Sequence, residues 1–131
     1  MGVFSPPNWN TLKNKPSTIS GYGITDEKCK AWVNFNGSTA AIRASYNVSS
    51  VTRNAAGDYT VNFTTAFADT NYAPQISLST NSLNANLGTT ANQRNGDVPT
   101  TTAFRFICTS ESGSILSLLY DPTYVYFAAF R

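Results

Sequence analysis

The chain has 131 residues, of which 41% are apolar, 13% aromatic and only 12% charged, with a formal net charge of +2. Its length fits one domain. The charge is too small for an electrostatic hold on nucleic acid or a membrane surface, the aromatic content is too high for a disordered chain, and no apolar run approaches the ~18 residues of a membrane span.

Residues 1–29 contain three of the six prolines, Pro6, Pro7 and Pro16, and place Gly21 and Gly23 on either side of Tyr22. Their large apolar residues, among them Phe4, Trp9, Ile19 and Ile24, follow neither a helical nor a strand period. Such a segment cannot repay its ordering entropy alone. It is expected to be extended and ordered only where something covers it. The start, MGVFSPPNWN, has neither the basic nor the apolar region of a signal peptide. Cys29 and Cys108 could form one disulfide, but without a signal their thiols are expected to stay reduced and partly buried.

From Ala31 the pattern changes. AWVNFN is a short strand. In AAIRASYNV, Ile42, Ala44, Tyr46 and Val48 alternate with polar or small residues, and in DYTVNFTT, Tyr59, Val61 and Phe63 oppose Thr60, Asn62 and Thr64. RNAAGD between them supplies turn residues, so residues 41–65 read as a β-hairpin. APQISLS is a strand that Pro74 confines to an edge or an entry position. TAFRFICT alternates through Phe104, Phe106 and Cys108. SILSLLY follows the turn SESGS, and TYVYFAAF closes the chain. Helical periodicity is weak everywhere, with only Leu83 and Leu87 hinting at it. Seven or eight short strands predict an all-β, antiparallel β-sandwich, jelly-roll-like knob over residues 30–131, preceded by the extended segment 1–29.

Two surfaces call for a partner. The last strand is apolar on both faces, with Tyr124, Tyr126, Ala128 and Phe130 on one and Val125, Phe127 and Ala129 on the other. One face of an antiparallel sheet normally meets water. A second cover is expected, either the chain's own loops or identical strands of neighbouring subunits, which makes Tyr124, Tyr126, Phe127 and Phe130 subunit-interface candidates. The second surface is the polar stretch 80–101, read as a loop longer than structural loops usually are. Its Asn84, Asn86, Thr89, Thr90, Asn92, Gln93, Arg94, Asn95 and Asp97 offer amides, hydroxyls and charges suited to a hydroxyl-rich ligand, although Asn and Thr also build ordinary turns.

The chain has no histidine, the commonest general base and metal ligand. Asp58, Asp97 and Asp121 sit in turn contexts, and nothing pairs two carboxylates across a cleft as glycoside hydrolysis requires. GYG at 21–23 is too short for a phosphate-binding loop. Two cysteines without histidine make a poor zinc site, and the scattered Asp and Asn lack calcium-loop spacing. No catalytic residue, cofactor or metal is expected.

Residues 14–26, NKPSTISGYGITD, resemble a connector common in bacteriophage tail fibres, in which a Lys-Pro-Thr-Thr-Leu-like start leads into Gly-Tyr-Gly-Ile-Thr-Asp; WNTLKNKP before it fits the same pattern. Residues 30–73, KAWVNFNGSTAAIRASYNVSSVTRNAAGDYTVNFTTAFADTNYA, look like a second phage module, found near the ends of fibre and other virion proteins. Residues 74–131 carry no such likeness, and no long shaft of the kind in large fibres is expected within these 131 residues. The resemblance implies a virion protein assembled in the host cytoplasm as a homotrimer, whose sparse N-terminal segment orders against its neighbours. It further implies a short tail fibre with a knob that binds a host-surface glycan or protein. Phe4, Pro6, Pro7 and Trp9 are candidates for an anchor docked to a larger tail, baseplate or capsid protein. A capsid decoration or head-fibre protein is the alternative, and a surface-polysaccharide depolymerase a second.

Overall fold

Alternation decides the architecture. In the strand Cys29–Phe35 (β1), Ala31, Val33 and Phe35 point one way and are buried, while Trp32 and Asn34 point the other. Asp58–Phe63 (β4) buries Tyr59, Val61 and Phe63, Ala103–Ser112 (β7) buries Phe104, Phe106 and Cys108, and Val125–Phe130 (β9) buries Val125, Phe127 and Ala129. The computed structural model describes residues 28–79, 89–112 and 115–131. Among these the remaining strands are Ile42–Tyr46 (β2), Val48–Ala55 (β3), Ala73–Leu78 (β5), Thr89–Gln93 (β6) and Ile115–Leu119 (β8), and there is no helix.

The strands form two antiparallel sheets. The first has the order β2-β1-β9-β5; the second has the order β3-β4-β7-β6, with β8 also paired to β7. Their inward side chains share one core, a sandwich-like arrangement. Aromatic rings fill it. Phe106 lies nearly parallel to Phe127 at 6.2 Å across the two sheets, and Phe35 meets Tyr59 edge-on at 5.2 Å. Phe63, Phe67 and Tyr72 close one end, where the Tyr72 hydroxyl donates to the Thr100 carbonyl at 3.0 Å. Burial pushes the Tyr72 hydroxyl up to about 12.

The expected hairpin over residues 41–65 divides in two. Ile42–Tyr46 pairs with β1 in the first sheet, and only Val48–Ala55 pairs with β4 in the second. The chain changes sheets at Asn47, which has φ 55°, a left-handed conformation that Asn tolerates better than most residues. Its side chain holds the crossing together. Nδ2 donates to the carbonyls of Lys30 at 3.0 Å and Thr65 at 3.1 Å, and Oδ1 accepts the Thr65 amide at 2.7 Å. As an edge strand, β2 exposes all five residues, so Ile42, Ala44 and Tyr46 lie outside the core despite their alternation.

Pro74 is on an edge strand, which suits its missing N–H: among the described residues β5 pairs with β9 alone. The polar stretch at 80–101 is not all loop, because Thr89–Gln93 pairs with β7 as a strand. Its polar side chains are tolerated because β6, too, is an edge. The hint of a helix at Leu83 and Leu87 falls outside the described residues, as do the segment 1–27 and the anchor candidates Phe4, Pro6, Pro7 and Trp9.

The molecule has two distinct ends. Lys28 and Arg131 meet at one, where the Arg131 amide donates to the Lys28 carbonyl. At the other lie the β3–β4 turn around Gly57 and the β8–β9 connection through Asp121. Gly57 has φ +66°, and a Cβ there would come within 2.7 Å of the Cys108 carbonyl and the Tyr120 amide, so only glycine fits. β7 runs on beyond this turn through Cys108–Ser112, paired with β6 and β8. At about 3.4 Å per residue, that extension reaches roughly 17 Å further.

Candidate functional site

The first sheet turns an aromatic face outward. Cross-strand register places Tyr46, Trp32 and Ala128 in one row and Ala44, Asn34, Tyr126 and Ser77 in the next. Trp32 is 38% exposed, Tyr46 59% and Tyr126 44%, and Tyr124 and Phe130 are exposed to a similar degree. At about 150–250 Å² per aromatic side chain, these five leave roughly 450 Å² of ring surface in solvent. Summed over the five, that equals the area of the largest apolar patch on an ordinary monomer, a size at which exposed apolar surface is often functional. Of the interface candidates, Tyr124, Tyr126 and Phe130 lie on this face. Phe127 does not: at 2% exposure it is packed between the sheets, because its position in β9 has the opposite parity.

One corner of the face is built from four side chains. The rings of Tyr124 and Tyr126 lie nearly parallel, 7° apart in plane and 6.3 Å between centroids. The Arg43 guanidinium sits 4.2 Å from the Tyr124 ring centre. Arg43 also donates to the Thr123 carbonyl at 2.9 Å and to Asn34 Oδ1 at 3.4 Å. Alternation puts Tyr124 and Tyr126 on one side of the last strand, and the fold turns that side outward. The parity of Trp32, between buried Ala31 and Val33, carried the same signal. Arg43 and Tyr46 needed the pairing of β2 with β1.

The polar candidates divide. Asn84 and Asn86 lie outside the described residues. Thr89, Thr90, Asn92 and Gln93 are on β6, where the Thr90 hydroxyl meets that of Thr109 at 2.7 Å and Asn92 donates to Thr90 at 3.4 Å. Gln93 donates to the Asp97 carbonyl at 2.7 Å. Arg94 and Asp97 are engaged within the protein, Arg94 with Asp58 and Asp97 at 3.6–3.7 Å from Arg105 and Arg94. Asn95 stands exposed beside Gly96, whose φ is +86°, at the rim of a shallow hollow of about 460 Å³.

Two carboxylates are held by arginines near the Gly57 turn. Asp58, 4% exposed at its side chain, accepts Arg105 Nε at 2.9 Å and Arg105 Nη2 at 2.8 Å, Asn54 Nδ2 at 3.1 Å, and Arg94. The Arg105 hydrogen bonds hold this carboxyl below its usual range against the opposing effect of burial. Asp121 accepts Arg53 at 2.6 Å, the Gly57 amide at 2.9 Å and the Tyr59 hydroxyl. Burial alone would raise its pKa; the bonds from Arg53, Gly57 and Tyr59 together outweigh that and lower it. Burial, then the bond to Asp121, pushes the Tyr59 hydroxyl up. Both acids are thus ionised hydrogen-bond acceptors at neutral pH, and neither is poised to donate a proton. They fasten the β3–β4 turn to the residues after β6 and to the β8–β9 connection.

At the opposite end, a groove of about 780 Å³ runs between Lys30, Tyr46, Asn47, Phe67 and Arg131, with Arg131 paired to Asp69. Both cysteines are free thiols; Cys108 is buried and Cys29 half-buried. Among the described residues no group of three or more Cys, Asp or Glu side chains is placed to hold a metal ion, and no helix is long and apolar enough to cross a membrane. No family model, no curated protein and no solved structure matches the chain.

Proposed function

We propose that this protein is a short homotrimeric virion fibre of a bacteriophage, anchored through its N-terminal segment to a larger virion protein, with the β-domain as a knob that contacts the host surface. The phage-like phrases at residues 14–26 and 30–73 give the class. The observation that carries the assembly is the outward aromatic face of the first sheet. The three rings on the half nearer Lys28, Trp32, Tyr46 and Phe130, supply roughly 280 Å², about a third of the ~800 Å² that each partner contributes to a standard interface, and a neighbouring subunit is the cover that the resemblance implies. Trp32, Tyr46 and Phe130, on the half nearer Lys28, are assigned to the subunit contact; Phe127 is spent in the core. The arrangement of the ends favours the same reading. The preceding segment joins at Lys28, and the β6–β7–β8 extension stands at the far end, where a knob would meet its target. Three-fold avidity lets weak single sites suffice.

Light scattering on the purified protein tests the assembly. The expected mass is three times 14.2 kDa, and Trp32→Ser together with Phe130→Ser is expected to lower it to that of one chain. A wild-type protein that stays monomeric at micromolar concentration overturns the trimer. Antibody labelling of intact particles then separates a tail fibre from a head decoration.

A further inference from the structure

We infer that the Tyr124–Tyr126–Arg43–Asn34 corner is a binding site for an acidic sugar, one carrying a carboxylate on its pyranose ring. The inference rests on the host-surface reading above and gives it a site and a ligand class. Three features point to this chemistry. First, two exposed rings lie nearly parallel, 6.3 Å apart. Both residues are over 40% exposed, so ring surface is open to the C–H face of a pyranose, its slightly positive hydrogens against a negative ring face. Second, the cation is fixed but not neutralised. Among the described residues Arg43 is bound to a carbonyl, an amide oxygen and a ring face, which leaves three of its five N–H donors for a ligand. No carboxylate among the described residues pairs with it. Third, the charge balance is one-sided. Beside Arg43, the four strands of this sheet bring no Asp or Glu to the corner. A neutral sugar would leave that charge unused, whereas a carboxylate takes the guanidinium edge through paired hydrogen bonds. The amide of Asn34 and the hydroxyls of Tyr124 and Tyr126 supply the neutral donors and acceptors that sugar hydroxyls need.

The test is calorimetric titration of the full chain with tri-galacturonic acid and, separately, with neutral maltotriose, with the mass in solution recorded for each variant. The acidic trisaccharide is expected to bind saturably and at least tenfold more tightly than the neutral one. Arg43→Gln is expected to abolish that preference, Tyr126→Ala to weaken binding at least tenfold, and Asn95→Ala to change neither. Arg43→Lys, which keeps the charge but loses the planar fork, is expected to fall between. Binding by Arg43→Gln equal to wild type places the sugar elsewhere and overturns this site, while leaving the host-surface reading intact. Failure of the wild type to bind either trisaccharide overturns the site and removes this support for the glycan reading. If Tyr126→Ala lowers the mass in solution, the rings are a subunit contact and the inference fails.

Discussion

Asp58→Asn is the sharpest probe of how the Gly57 end is held. The substitution keeps shape and removes charge. It also turns one acceptor oxygen into an NH₂ group that faces the N–H donors of Arg105 and Arg94. In the native protein this carboxylate is 4% exposed and receives both arginines and Asn54. Removing one partner of a fully buried ion pair costs about 3–5 kcal/mol. Here the arginine side chains are themselves 32% and 43% exposed, so they recover part of their hydration, and the expected loss is about 2–3 kcal/mol. The pH dependence follows from the direction of the shift. The folded carboxyl titrates below its usual range, so its contribution is full above the unfolded value near 3.9 and disappears as pH falls through the folded value. Urea denaturation at one fixed protein concentration should show the full gap between wild type and variant from pH 7 to pH 5. The gap should then shrink steadily below pH 4. A gap under about 0.5 kcal/mol at pH 7, or one that stays constant down to pH 2, would refute the claim that the ionised carboxylate holds this end together.

Two further outcomes test other parts of the fold. Asn47→Ala loses three hydrogen bonds at the sheet crossing and places a Cβ-bearing residue without a polar side chain at φ 55°; about 2–4 kcal/mol of stability should go, and a loss below 1 kcal/mol in urea unfolding would show that the crossing is set elsewhere. Burial, with Asp121 adding to it, pushes the Cys108 thiol up to about 12, so at pH 8 a thiol reagent should modify half-buried Cys29 first, and Cys108 only on unfolding. Equal rates for the two in the native protein would contradict the burial.

Alternation along DYTVNF, TAFRFICT and the last strand is a local property, set by the two-residue repeat of an extended chain. In the first two it marked the side chains that enter the core, and it gave the all-β class; the last strand, apolar on both faces, left that choice to the fold. It grouped Tyr124 with Tyr126 on one side of the last strand, and the fold turned that side to solvent. What it could not contain was the identity of each strand's neighbour. Ile42–Tyr46 alternates as well as any core strand, yet it is an exposed edge because the chain turns away at Asn47 and pairs it with β1 alone. Thr89–Gln93 reads as loop because an edge strand with few apolar side chains has no burial signature, and its ladder to β7 is visible only in the fold. The fate of the charges was equally remote from local pattern. Arg94 reads as a ligand-binding candidate until Asp58 arrives from 36 residues away, Arg105 reaches the same carboxylate from 47, and Asp121 meets the Gly57 amide from 64. Residue period is decided by backbone geometry within a few positions, whereas ion pairs, sheet order and the open aromatic face are decided by which distant segments the shared core brings together.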